Sequence, residues 1–344
     1  MSWFILTLIC MLGWGFADLF YKKSNVDGDR YSHLKTAVWV GLMMGVFSLF
    51  FTVVTLCKEP LLSLFGEDSF INSLTAETLF TPGVSIFGSA VRYLPASLGY
   101  IISMVVGYAG MRYLEVSIVS PVQNASGALS AVSMLVYFSI TGTLTGIWDV
   151  FDIPSLIGTI LIIGGVVALG IVEQRLAKAE GELNLPKNER KYRYGALALL
   201  FPILYCVFDT IGTTADGIIL SDENGLGDID VLILYGFTFL LAGIAAWIFL
   251  FIKEKKAYNP FRKAELKTRG VAALFEQFGQ IFYVYAMSDN PVVAAPMIAS
   301  YCIVSAILSR IFLKEKLKVS QYACVITVII GIVLLGISEG LAEA

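Results

Sequence analysis

The chain has 344 residues, of which 57% are apolar and 15% charged, with a formal net charge of −3 and a mean hydropathy of +0.77. That balance excludes both an ordinary soluble domain and a disordered chain, and it makes the bilayer the solvent. Apolar windows of about 20 residues, each able to cross roughly 30 Å of hydrocarbon as helix, recur along the sequence. Ten spans are expected, at about 2–22, 36–57, 93–114, 116–140, 152–173, 195–217, 231–252, 270–288, 291–313 and 319–338. The first reads as a retained span, because no basic residue precedes it and no small-x-small cleavage site follows it.

Span 1 carries Asp18 four residues after Trp14 and four before Lys22. An i,i+4 ion pair at the membrane edge is one account of Asp18, and a place in a binding site is the other. His33, the single histidine, falls in the polar loop that follows, which removes histidine relays and triads. Gly41 and Gly45 in span 2, like Ala242 and Ala246 in span 7, form small-xxx-small pairs that let helices approach closely. The loop from Lys58 to Arg92 holds short apolar pieces at 60–65 and 70–80, either lying along the membrane interface or folded as an ordinary loop.

In span 3, Tyr93, Ser97, Tyr100 and Gly107 share a face that suits either an aromatic pocket wall or ordinary core. Span 4 runs Ser117, Ser120, Asn124, Gly127 and Ala131 along one stripe, with Gln123 beside Asn124; close helix packing and cavity lining both fit. After span 5, the charged stretch AKAEGELNLPKNERKYR marks a boundary between two halves. Asp209 in span 6 follows Tyr205 by four residues, as Asp18 follows Trp14. The stretch DENGLGDID at 222–230 has a passing likeness to a calcium loop but lacks its later acidic ligands, so no metal is expected. The five cysteines, Cys10, Cys57, Cys206, Cys302 and Cys324, fall in the expected spans, are odd in number and form no CxxC pair; buried, inert thiols are expected.

Glu276 stands seven residues after Arg269, about 10 Å along the helix of span 8 and inside the hydrocarbon zone. Gln280 at i+4 and Tyr283 at i+7 share its face. A binding face that exchanges solute or protons is one reading, and a protonated glutamic acid bonded to a neighbouring helix is the other. Span 9 adds Pro296, Ser300 and Tyr301; Pro296 and Pro121 each remove a backbone hydrogen bond and are expected to mark flexing points.

All basic residues except Lys58 and Arg92 fall in the loops after spans 1, 3, 5, 7 and 9, so by the positive-inside bias both termini face outward. The chain also repeats itself: Tyr108 and Ala109 precede Pro121 at the distance by which Tyr283 and Val284 precede Pro296. Gly170-Ile171-Val172-Glu173 closes the first copy where Gly336-Ile337-Ser338-Glu339 closes the second. Five spans per copy is odd, so the second copy enters the bilayer from the opposite face. The expected fold is an all-α integral membrane protein of ten transmembrane helices in two inverted five-helix repeats, residues 1–175 and 194–344, joined by a cytoplasmic linker at 176–193.

Trp14-Gly15 followed by Lys22, the run YAGMRYLEVSIVSP from Tyr108 to Pro121, Tyr285-Ala286 through Pro296 to the FLKEKL of Phe312 to Leu317, and a glycine-bearing last span together resemble the drug/metabolite transporter superfamily, in its EamA-type two-repeat form. The resemblance covers nearly the whole chain and implies a central substrate cavity between inverted halves, worked by alternating access. It departs from the family in two places. Several relatives are described with cytoplasmic termini, and the first half shows Phe138-Ser139-Ile140-Thr141-Gly142 where the second has FLKEKL.

The resulting expectation is a plasma-membrane secondary transporter of a small metabolite or drug-like solute, with a non-transporting membrane interaction or regulatory protein as the alternative. An enzyme is not expected, since no HExxH, GxSxG or metal-ligand spacing occurs. The site is expected from Glu276, Gln280, Tyr283, Asp209, Asp18, Asn124, Gln123, Tyr100, Ser300 and Tyr301. Acids without deep basic residues favour a cationic, zwitterionic or proton-exchanged solute. The solute and the lipid bilayer are the expected partners, a homodimer is compatible with the reading, and no nucleic acid or cofactor is expected.

Overall fold

The computed structural model describes residues 2–24, 29, 31–66, 69–110, 122–179, 200–222, 225–254, 258–313 and 318–342. Among these residues there is no strand. The helices are α1 (Trp3–Ser24), α2 (Ser32–Leu56), α3 (Lys58–Phe65), α4 (Ile86–Gly110), α5 (Ser126–Thr141), α6 (Ile153–Ala179), α7 (Leu200–Ser221), α8 (Asp228–Glu254), α9 (Val271–Asp289), α10 (Pro291–Ala299), α11 (Tyr301–Leu313) and α12 (Val319–Ala342). Eight helical segments among the described residues are long and apolar enough to cross a membrane: α1, α2, α4, α6, α7, α8, α10 with α11, and α12.

Two expected spans fall outside that set for different reasons. The expected span 4 loses its start, since Ser117, Ser120 and Pro121 lie outside the described residues, leaving the 16 residues of α5. The expected span 8 is present as the 19-residue α9, where Glu276, Gln277, Gln280 and Asp289 dilute the apolar run. Of the linker expected at 176–193, the first four residues continue α6 to Ala179; residues 180–199, Arg112 and the Lys314–Leu317 part of the FLKEKL motif lie outside the described residues.

Boundaries move where local chemistry extends a helix. Span 3 starts at Ile86, so Arg92 is not a loop charge but a helical residue that reaches Asp222 at 2.6 Å. His33 sits in the first turn of α2, and not in a loop. Cys57 follows the end of α2 and is exposed, unlike the other four thiols, because the chain turns there into α3. The helix of span 9 runs through Pro296 and breaks four residues later, at Ser300, whose hydroxyl donates to the Met297 carbonyl at 2.6 Å. A serine hydroxyl competing for a helix carbonyl favours such a break. A turn at Ala125 likewise interrupts the helical run just before α5.

The principal helix pairs are α1 with α9, α4 with α7, α2 with α8, α6 with α12, and α5 with α10. The α2–α8 pair is the tightest approach of backbones, and glycines permit it: a Cβ on Gly41 would lie 2.4 Å from the Phe239 carbonyl oxygen and 2.8 Å from the Gly243 Cα. The partners of Gly41 and Gly45 on α8 are Gly243 and Leu240, while Ala242, singled out with Ala246 as a small pair on that helix, is half-buried. Backbone cannot retreat as a side chain can, so Gly41→Ala is expected to cost about 1–3 kcal/mol, read as a lowered melting temperature in detergent.

Polar anchors hold both ends of the bundle. At one end Arg269, only 3% exposed, lies in a π-helical turn (Leu266–Gly270) that enters α9. Its guanidinium donates to the Ser24 carbonyl and the Ser32 hydroxyl, each at 2.8 Å, and to Glu265 at 2.5 Å, tying α1, α2 and α9 together. Arg269 is therefore a buried structural cation and not a solvated loop charge. Nearby, Lys35 bridges Asp29 at 3.0 Å and Glu254 at 3.2 Å. Burial works against the Asp29 charge, but the Lys35 ammonium and the Tyr31 amide hold its carboxyl below the usual carboxylate range.

At the other end Asp230, fully buried, accepts from the Thr78 amide (3.0 Å) and hydroxyl (2.6 Å), the Leu79 amide (2.8 Å) and the Gly227 amide (3.1 Å). The stretch likened to a calcium loop thus ends in a carboxylate that caps α8 and pins the α2–α4 connection. That connection is a folded loop: Ile71 and Leu79 are buried in it, while Leu64, Phe65 and Phe70 form an exposed apolar edge.

Candidate functional site

A small central cavity of about 70 Å³ lies among α1, α4, α5, α7, α8, α9, α10 and α11. Three carboxylates reach it from three helices: Asp18 on α1, Asp209 on α7 and Glu276 on α9. Glu276 lies within electrostatic reach of both others. Each aspartate accepts a hydroxyl from a facing helix: Ser305 of α11 donates to Asp18 at 2.8 Å, and Ser126 of α5 donates to Asp209 at 2.6 Å. No hydrogen bond or ion pair among the described residues engages the Glu276 carboxylate. The side chain of Lys22, the alternative partner of Asp18, lies outside the described residues.

Helical spacing explains the aromatic lining. Trp14 and Tyr205 each stand one turn before an aspartate and therefore share its face. The Trp14 ring stacks on Tyr283 with centroids 5.4 Å apart and meets Tyr301 edge-on at 5.6 Å, while its indole N–H donates to the Glu276 carbonyl at 3.2 Å. Gly279 makes room for it: a Cβ there would lie 2.3 Å from Trp14 Cδ1. No lysine, arginine or histidine stands among the described residues that line the cavity.

Of the ten residues named from the sequence, Asp18, Tyr100, Asn124, Asp209, Glu276, Gln280, Tyr283 and Tyr301 line this cavity. Gln123 and Ser300 do not. Gln123 packs behind the wall, its amide nitrogen against Gly107, because its neighbour Asn124 already takes the cavity-facing direction of the helix. Ser300 spends its hydroxyl on the helix break and touches Met11 Sδ at 3.8 Å. Thr213, Tyr235, Met104 and Ser126 also line the cavity and were not singled out. Thr213 stands four residues after Asp209 and was legible from that spacing; Tyr235 and Met104 carried no such signal. Among the described residues no group of three or more histidine, cysteine, aspartate or glutamate side chains is arranged to hold a metal ion.

Residues 217–337 match the model of the EamA-like transporter family. The matched segment runs from the end of α7 through most of α12 and includes Glu276, Gln280, Tyr283 and Tyr301. It supports the EamA-type resemblance seen in the sequence. A solved structure, titled only as the crystal structure of a protein, is similar over 99% of both chains with a TM-score of 0.57 and 14% identity, which shows a shared fold. No curated protein matches the sequence. With its EamA-like segment and eight candidate spans, the chain is a multi-pass, transporter-like membrane protein.

Proposed function

We propose that the chain is a secondary transporter that moves a small cationic or zwitterionic solute across the plasma membrane by alternating access, in exchange with protons. The observation that carries this reading is the cavity itself, where Asp18, Asp209 and Glu276 meet the rings of Trp14, Tyr205, Tyr283 and Tyr301 without a basic residue among the described lining. Aromatic faces attract a desolvated cation, and a nearby carboxylate adds charge pairing. Among the described residues the amide nitrogen of Gln280, 3% exposed, has no hydrogen-bond partner, which suits a solute that also carries an acceptor.

Two inverted repeats of five helices belong to the same proposal. The helix pairing supports them, since α1–α9 and α4–α7 exchange under a two-fold that maps α1 on α7 and α4 on α9, while α2–α8 and α6–α12 map on themselves. The serine bonds to Asp18 and Asp209 follow the same relation, as do the helix breaks at Ala125 and Ser300. Broken helices beside a midplane cavity are where rocking halves expose a site alternately to each side. The loop charges support outward termini and a cytoplasmic linker at 176–193.

The test is reconstitution in proteoliposomes under an imposed pH gradient, with a panel of amines, polyamines, amino acids, sugars and nucleosides. Amines or zwitterions are expected to accumulate and to dissipate the gradient. Failure of every class to move, or to raise the melting temperature of the purified protein, would sink the transport reading.

A further inference from the structure

Asp216 stands behind the aromatic wall of the cavity, seven residues and about 10 Å along α7 from Asp209. It is fully buried and does not line the cavity. Its Oδ2 accepts from the Tyr100 hydroxyl at 3.2 Å, and among the described residues its Oδ1 has no hydrogen-bond partner. The groups facing it are Tyr93 and Tyr100 from α4, Tyr235 from α8 and Tyr283 from α9, with Thr213 on its own helix. The Tyr93 hydroxyl, also buried, faces the Asp216 carboxyl and is placed to serve its second oxygen after a small relaxation. Beside it on α7, Gly217 packs against Met134 of α5 and Pro291 of α10. No lysine, arginine or histidine is among these groups.

An ionised carboxylate with only hydroxyls and no cation beside it, deep in a membrane-spanning bundle, is expensive, whereas the neutral acid needs only hydroxyl partners. The hydroxyls supply a route as well. Tyr100 has one hydrogen and three oxygens in reach: Asp216 Oδ2, Thr213 Oγ1 at 3.3 Å, and the Tyr283 hydroxyl. Two orientations of one chain follow. With Asp216 protonated, it donates to Tyr100, Tyr100 to Tyr283, and Tyr283 into the cavity. If each hydrogen hops forward by one bond, water in the cavity gains a proton, Asp216 becomes the carboxylate, and both tyrosines end neutral and donating the other way.

We propose that Asp216 is a proton-binding site distinct from the cavity carboxylates, loaded and unloaded through the Tyr100 and Tyr283 hydroxyls. On the transport reading above, which this deepens, Asp216 holds the exchanged proton and leaves Asp18, Asp209 and Glu276 to the solute. A solute seated against Tyr283 touches the end of the hydroxyl chain, which links its arrival to release of the proton.

The test is infrared difference spectroscopy of the purified full chain across a pH jump. The carbonyl stretch of a protonated carboxyl at neutral pH is expected in wild type, lost in Asp216→Asn, and kept in Asp209→Asn. Tyr100→Phe keeps the band but slows its exchange about 100-fold. Should Asp216→Asn fail to fold, Asp216→Glu is expected to move the band in frequency. A band that survives Asp216→Asn, or that Asp216→Glu leaves in place, overturns the proposal. So does its absence from wild type, or exchange unaltered in Tyr100→Phe. All are read without solute, so absence of uptake bears on the transport reading and not on this site.

Discussion

Glu276→Gln is expected to weaken the binding of a cationic solute about 10- to 100-fold while leaving the solute-free protein as stable as wild type or more so. The two halves of this expectation come from one observation. The Glu276 carboxylate lines the cavity but is engaged by no hydrogen bond or ion pair among the described residues, so its replacement breaks no such bond. A solute cation bonded to it loses a charge-assisted hydrogen bond worth about 1.5–3 kcal/mol. The amide is also easier to bury than the carboxylate, which is why the melting temperature should not fall. Thermal-shift titrations of both proteins with the best ligand of the solute panel check both halves together. A variant that melts well below wild type would instead make Glu276 packing glue between helices.

Asp230→Ala is expected to give the largest loss of stability, about 3–5 kcal/mol, because one buried carboxylate serves four donors. Three of the four lie in the α2–α4 connection, at Thr78 and Leu79, so the loop should come free and expose Leu79 and Ile71. A lowered melting temperature and faster proteolytic cutting between α3 and α4 are the readouts. Asp222→Ala makes the contrast, since its bridge to Arg92 joins two side chains that are each more than two-fifths exposed. Such an exposed pair contributes about 0–1 kcal/mol. Equal losses in the two variants would remove the special role of Asp230.

How far the site was legible depends on which residues share a helix. Glu276, Gln280 and Tyr283 were readable as one face because spacings of four and seven residues return to the same side of an α-helix. Asp18 and Asp209 were readable because each follows an aromatic by one turn of helix. Gln123 and Asn124 show the limit of that argument: adjacent residues point about 100° apart, and the sequence does not say which one turns inward. Asp216 was missed although it stands seven residues after Asp209, since what makes it unusual is a set of tyrosines delivered by three other helices. Gly243 was passed over for Ala242 for the same reason, as the closest approach of α2 and α8 depends on how the two helices cross.

The sequence by itself determined the all-helical membrane class and the polar face of α9, because hydrophobicity and helical periodicity are local properties that survive any arrangement of the helices. Tertiary structure alone decided that Arg269 is a buried strut, that Asp230 pins a loop, that Ser300 closes a helix break, and that three carboxylates from α1, α7 and α9 share one aromatic cavity. Those are contacts between segments far apart in the chain. They depend on the crossing and rotation of packed helices, which side-chain volumes and glycine gaps set jointly and no single stretch encodes.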